Sequence, residues 1–371
     1  MQFCQISHFK FYFIGMITDV VKIFLPAVIS FCLGIAIAPP LADYLYGRRM
    51  WKKKSGKVDL SGAATPIFNE LHKDKEVGTP RMGGVIIWLS SFITIITIWV
   101  ISYFLPSEFS VKLDFLSRKQ TWLPLATLIF GSLIGLLDDW LEIRGSGSHL
   151  AGGLSLRKRL LIVSLVGLFV GSWFFFKLDV SGIGLPGGGI FPMGPFFILF
   201  FTVVTVMLYS GGVIDGLDGL AGGVFATIFS AYAGIAFFQQ QIDLAAFALV
   251  VVGGILAFLW FNIPPARFYM SETGTMGLTM TLAVVAFMTD KLGGGYGVLV
   301  LPVIALPLAA TTLSVVIQVL SKRFRGRKIF LVAPLHHHFE ALGWPAYKVT
   351  MRYWVIGVVF AILGVILAVI A

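Results

Sequence analysis

Charge is the scarcest commodity in this chain. Only 12% of its 371 residues are Asp, Glu, Lys or Arg, about half of the roughly 25% carried by soluble domains, and this shortage excludes a water-facing globular enzyme. Cysteine is almost absent. Cys4 and Cys32 lie in apolar sequence without metal-ligand spacing, so they read as lipid-facing or core thiols and say little about redox compartment. No polar stretch is long enough to own a core, the longest being 47–81 and 322–348. There is no Walker-type phosphate loop. The first apolar run, Phe9 to Met16, is short and lacks a small-residue cleavage site; it reads as an interfacial segment leading into a span, not as a cleaved signal peptide.

What is present is apolar. Hydrophobic residues make up 57% of the chain and the mean hydropathy is +0.91, which predicts an all-α polytopic membrane protein built as one integral domain over 1–371. Spans are expected near 20–46, 82–105, 121–138, 158–177, 195–212, 219–238, 244–261, 275–289, 296–320 and 349–371, about ten in all, each matched to a hydrocarbon core of roughly 30 Å. The net charge of +10 raises the question of nucleic acid, but its distribution answers it. One set of connections holds Arg48, Arg49, Lys52, Lys53, Lys54, Lys57, Lys73, Lys75 and Arg81, then Arg144, Arg157, Lys158 and Arg159, then Lys322, Arg323, Arg325, Arg327, Lys328 and Lys348. The other set holds Lys112, Arg118, Lys119, Lys177 and Lys291. The positive-inside rule makes the first set cytoplasmic and places both termini outside. The basic excess is a topology signal, with anionic lipid headgroups and a phosphorylated substrate as secondary uses.

The few ionisable groups near span ends then stand out, because a charge at a span costs roughly 2.5–3.5 kcal/mol on insertion scales. Asp138-Asp139, Asp215-Gly-Leu-Asp218-Gly, Glu272 and His336-His337-His338 all fall in connections that loop charge assigns to the cytoplasm. Each has a plain structural reading. Asp138-Asp139 could be an exposed span end, Asp215 or Asp218 a helix N-cap, Glu272 a first-turn carboxylate favoured by the helix dipole, and the histidines a surface loop. Three successive histidines on a helix point in different directions, which disfavours one zinc held by all three. Imidazoles among basic residues suit phosphate better. Carboxylates for a divalent cation together with cationic donors for oxygens are what phosphoryl chemistry requires, and the pattern predicts a cytoplasmic-side active-site cleft.

Taken together the motifs resemble one family. The landmarks are Thr79-Pro80-Arg81-Met82-Gly83-Gly84, Asp138-Asp139-Trp140, Gly153-Leu154-Ser155, Asp215-Gly216-Leu217-Asp218-Gly219-Leu220-Ala221, Trp260-Phe261-Asn262, Glu272-Thr273-Gly274-Thr275 and Ala333-Pro334-Leu335-His336-His337-His338-Phe339-Glu340. Over nearly its whole length the chain resembles the phospho-N-acetylmuramoyl-pentapeptide transferases of the polyprenyl-phosphate N-acetylhexosamine-1-phosphate transferase superfamily. The histidine motif is the most specific landmark, since it separates muramoyl-pentapeptide enzymes from relatives that transfer N-acetylglucosamine. The resemblance implies ten helices, magnesium, often a homodimer, a bacterial cell-membrane location, UDP-N-acetylmuramoyl-pentapeptide as donor and undecaprenyl phosphate as acceptor.

Roles follow from the matched positions. Glu272 is expected to ligate Mg2+, Asp138 to act as base towards the acceptor phosphate, and Asp139 to hold the cleft's electrostatics. Asp215, Gly216, Leu217, Asp218, Asn262 and Tyr269 are expected to recognise the nucleotide, Tyr269 by stacking on uracil. His336, His337, His338 and Arg159 are expected at the donor's sugar-phosphate side. The chain departs from the family pattern in having Glu272 for an aspartate, Arg159 for a lysine, Arg81 for a threonine, and Tyr209-Ser210-Gly211-Gly212 in place of asparagines. A UDP-N-acetylglucosamine enzyme for another envelope polymer, and an inactive or transport protein on the same fold, remain as alternatives; transport would spread ionisable groups along a path across the membrane instead of at one side.

Overall fold

The structure is a computed structural model and describes residues 2–52, 77–117, 119–145 and 153–370. The side chains of Cys4 and of Phe9 to Met16, and the basic residues Lys53, Lys54, Lys57, Lys73, Lys75 and Arg118, lie outside what it describes. Helices follow the apolar runs: α1 Gln2–Gly47, α2 Val85–Phe104, a short α3 Glu108–Leu113, α4 Trp122–Arg144, α5 Leu156–Lys177, α6 Phe196–Ser210, α7 Leu220–Phe238, α8 Ile242–Asn262, α9 Ser271–Met288, α10 Gly297–Ile304, α11 Leu306–Arg325, a short α12 Leu335–Ala341 and α13 Ala346–Ile370. Between α5 and α6 lies a hairpin, β1 Gly182–Leu185 and β2 Gly189–Pro192, paired antiparallel with Gly182 opposite Pro192.

The bundle is organised around α9. Every residue of this helix except Glu272 is buried, enclosed chiefly by α4 and α6. α8 is nearly as enclosed, between α1, α2 and α7. The outer helices α1, α5 and α13 turn Phe24, Val28, Phe169, Phe176, Val355 and Ile362 outwards, as lipid-facing helices do. Cys32 is on that exposed side of α1. Among the described residues, eight helices are long and apolar enough to cross a membrane, or nine if α10 and α11 form one span.

Two expectations need correction, and one helix is unlike the rest. The span near 275–289 is α9, which begins at Ser271 and is less apolar than those eight. Shielded from lipid, it can carry Thr275, Thr279 and Thr281, whose hydroxyls donate back to the carbonyls of Ser271, Thr275 and Gly277 at 3.1, 2.7 and 2.7 Å. The span near 296–320 is not one helix: α10 and α11 meet at a 73° bend, where Pro307 in the first turn of α11 cannot donate to the preceding turn. The third span does not stop at Asp138 but runs to Arg144, which puts both aspartates inside α4 and not at its exposed end.

Close helix contact explains how charged positions come together. On α4, Gly131 and Gly135 lie one turn apart against α9. A Cβ added to Gly131 would sit 3.0 Å from the Cα of Gly277, and one added to Gly135 only 2.1 Å from the carbonyl oxygen of Glu272. No larger side chain lets the two backbones approach this way. Asp138 and Asp139, one turn beyond Gly135, are thereby delivered to the N-terminus of α9.

At the other end of the bundle a buried carboxylate has a structural task. Asp290 accepts from the Gly184 amide at 2.6 Å and the Val298 amide at 3.0 Å, pinning the hairpin to α10.

Candidate active site

The first amides of α9 have no intrahelical acceptors, and two carboxylates capture them. Asp139 accepts from the amide and hydroxyl of Thr273 at 2.9 and 2.6 Å and from the Glu272 amide at 3.4 Å. Asp215 accepts from the Ser271 amide at 2.8 Å. The positive helix end and two anionic acceptors stabilise each other. Asp139 thus has a cap as its clearest contact, a role in which it holds Glu272 in place.

Around it lies an ion network. Arg81 reaches Glu142 at 3.0 Å and Asp139 at 3.7 Å, and donates to the Ser271 hydroxyl at 3.2 Å. Lys52 meets the same Glu142 oxygen at 3.0 Å. Burial works against the Arg81 charge, but Glu142, Asp139, Asp215 and Glu272 together outweigh it and hold the guanidinium above its ordinary value. It stays charged at any workable pH.

Beside this network Arg159 bridges the remaining pair. Its Nη1 contacts Glu272 Oε1 directly and lies 3.6 Å from Asp138 Oδ2, while its Nε donates to the Leu154 carbonyl at 3.0 Å. Asp138 also accepts from the Leu154 amide at 2.5 Å. The Tyr209 hydroxyl donates to Glu272 Oε2 at 3.5 Å.

The second half of the site is the Asp215–Gly219 turn with α12 against it. A Cβ on Gly216 would meet His336 Nε2 at 2.3 Å and His337 Nε2 at 2.9 Å, so this glycine is where the histidine helix docks. His336 and His337 are buried, with rings 4.2 Å apart. His337 Nδ1 is 2.7 Å from Glu340 Oε2, an arrangement that fixes the ring and leaves Nε2 directed at Gly216. His338 departs from the other two: its ring packs on Phe330 and its Nδ1 accepts from the Leu331 amide at 3.2 Å. The expectation that all three histidines point in different directions therefore holds only for His338; His336 and His337 both direct Nε2 at Gly216.

The remaining expected site residues serve the scaffold visibly. Asn262 is buried, accepting from the Gly219 amide and donating to the Phe268 carbonyl, both at 2.9 Å. Leu217 is buried in the main core. Asp218 does not cap α7, whose N-cap is Gly219 at φ +76°; its carboxylate accepts from Ala266 at 3.3 Å, and its carbonyl accepts from Thr350 at 3.2 Å. Tyr269 is half-buried and its backbone clamps the 80–83 segment, donating to Pro80 and accepting from Gly83.

Sequence reasoning missed Tyr209, Glu142, Ser271, Thr273 and Glu340. Two had a legible signal: Glu142 lies one turn beyond Asp138, and Glu340 lies three residues after His337. Tyr209 had none, since it ends an apolar helix like any interfacial aromatic.

The donor set fits magnesium in one specific way. Among the described residues no three His, Cys, Asp or Glu side chains are gathered as a ready metal cage. Magnesium, however, is ordinarily held by one or two carboxylates with phosphate oxygens and water completing its shell, and Asp138 with Glu272 supply that minimum.

Comparison with known proteins accords with this arrangement. Residues 121–290 match the family model described as glycosyl transferase family 4, a segment running from α4 through α9. The phospho-N-acetylmuramoyl-pentapeptide-transferases of Bacillus mycoides (strain KBAB4), Bacillus anthracis (strain A0248) and Bacillus cereus (strain AH187) are each 31% identical to the chain over 351 residues, covering 92% of it and 97% of each relative. This multi-pass membrane protein is a sugar-phosphate transferase, and it belongs, as a divergent member, to the phospho-N-acetylmuramoyl-pentapeptide-transferase family.

Proposed function

We propose that the chain transfers phospho-N-acetylmuramoyl-pentapeptide from its UDP-linked form to undecaprenyl phosphate, releasing UMP and giving lipid I, at the cytoplasmic face of a bacterial cell membrane. The observation that carries this reading is the seating of His336 and His337 on Gly216, which joins the motif characteristic of muramoyl enzymes to the Asp215–Asp218 turn and, through Asp215 and Ser271, to Glu272. The cytoplasmic assignment is supported by the basic residues flanking this end of the bundle.

In the reaction an acceptor phosphate oxygen attacks the sugar-bearing phosphorus of the donor, and the bond from that phosphorus to the UMP oxygen breaks. Asp138 holds or removes the acceptor's remaining proton; because a phosphate monoester has a second pKa near 6, this is a modest task. Arg159 and His337 offer cationic or hydrogen-bonding groups to the donor's phosphates. A magnesium ion held by Glu272 and Asp138 would neutralise charge on the pyrophosphate and the departing UMP. Tyr269 and the 215–218 turn line the nucleotide side.

The test is UMP release by purified protein given polyprenyl phosphate, magnesium and either UDP-N-acetylmuramoyl-pentapeptide or UDP-N-acetylglucosamine. Turnover with the muramoyl donor alone is expected. Alanine at His336, His337 or His338 should cost more than tenfold at one position at least, with little change in melting temperature. Turnover only with UDP-N-acetylglucosamine would refute the reading, as would three histidine variants of wild-type activity.

A further inference from the structure

Arg159 stands where a cation between two carboxylates would stand. Its Nη1 touches Glu272 Oε1 and lies 3.6 Å from Asp138 Oδ2. The Leu154 carbonyl, 3.0 Å from Nε, holds the guanidinium from a further side, and the Tyr209 hydroxyl holds the other Glu272 oxygen at 3.5 Å. A divalent ion placed between the same two carboxylates would meet the guanidinium charge at close range, among groups largely withdrawn from water.

We infer that Arg159 is a built-in counter-ion that keeps divalent metal out of the Asp138–Glu272 pair until a diphosphate draws the guanidinium away, and that Tyr209 is a positioning residue that steadies the Glu272 carboxylate against it. The inference rests on the reading of Glu272 as a metal ligand. Diphosphate is the natural competitor, because a planar guanidinium pairs bidentately with phosphate as well as with carboxylate. Metal and nucleotide then bind in a preferred order, nucleotide first.

The test is binding, not turnover. Mn2+ uptake by the detergent-solubilised full chain is followed by electron paramagnetic resonance, with and without UDP, for wild type, Arg159→Gln, Arg159→Lys and Tyr209→Phe. Wild type should bind Mn2+ weakly alone and at least tenfold more tightly with saturating UDP, beyond the affinity of Mn2+ for UDP itself. Arg159→Gln should bind at least tenfold more tightly than wild type without UDP, and gain less than threefold from it. Tyr209→Phe should fall between, while Arg159→Lys, which keeps the charge, should stay nearer wild type. Equal Mn2+ affinity in wild type and Arg159→Gln without UDP would overturn the inference yet leave Glu272 as a ligand. No Mn2+ binding in any variant, even with UDP, would remove both. If Arg159→Gln does not fold, the wild-type titration decides alone: an affinity indifferent to UDP overturns the inference.

Discussion

Replacing Gly135 by alanine adds one methyl group and should disable the protein. The new Cβ would lie 2.1 Å from the Glu272 carbonyl oxygen, 2.5 Å from its carbon and 2.8 Å from the Thr273 nitrogen. These are backbone atoms and cannot rotate aside. Restoring ordinary contact requires α4 and α9 to separate by about 1 Å, an overpacking strain of roughly 1–3 kcal/mol. The same movement stretches the Asp139 bonds to Thr273, now 2.9 and 2.6 Å, and losing one hydrogen bond to a charged group adds about 1.5–3 kcal/mol. A total of roughly 2.5–6 kcal/mol is expected, seen as a lowered melting temperature in detergent, with activity reduced further because Glu272 moves relative to Asp138. Gly234 on α7 is the control: a Cβ there meets nothing within 4 Å, so Gly234→Ala should be neutral or stabilising by up to about 1 kcal/mol through helix propensity. If both alanine variants melt and turn over like wild type, the α4–α9 contact does not position the site.

Other consequences are as direct. Asp139→Asn removes the charge that caps α9 beside Arg81 and should destabilise by about 2 kcal/mol, with activity lost at every pH and not recovered in alkali; recovery at high pH would point to a proton-transfer role instead. Gly216→Ala pushes a methyl against His336 and His337 and should lower kcat by more than tenfold while the melting temperature changes by only a few degrees; unchanged kcat would detach the histidine helix from catalysis. Lys22 and Asp243 join α1 to α8 at 2.7 Å. Lys22→Met and Asp243→Asn should each cost roughly 1.5–3 kcal/mol, and the double variant less than their sum, as thermal melting can show; strict additivity would mean that the pair does not interact.

Much of the fold was legible because lipid imposes simple rules. Long apolar runs became helices, and loop charge grouped the Asp138, Asp215, Glu272 and His336 motifs, which the structure does bring to one end of the bundle. What escaped depended on helix neighbours. α9 is less apolar than the spanning helices for the reason that makes it central: enclosed by other helices, it needs no lipid-compatible surface and can hold glycine and threonine. The break at 305 was written in Pro302 and Pro307, yet membrane helices often tolerate proline, as α1 does at Pro26, Pro39 and Pro40. Asn262 shows what spacing cannot convey: its side chain bridges Gly219 and Phe268, partners that no pattern along the chain reveals.

The Asp138-Asp139 pair shows why residue type alone cannot assign a role. Successive positions on a helix diverge by about 100°, so α4 presents the two carboxylates to different surroundings. Asp139 turns towards α9 and meets two backbone amides, a hydroxyl and Arg81. Neutralising or moving it would dismantle the helix end that carries Glu272. Asp138 turns towards the start of α5, where its partners are one amide and Arg159. Of these, the guanidinium sits on a flexible side chain that a phosphate can attract. Two identical groups, equally buried, thus differ in how freely their partners can be exchanged. Under the proposed function, the one with an exchangeable partner is the one expected to engage a substrate, and the other keeps it aligned with Glu272.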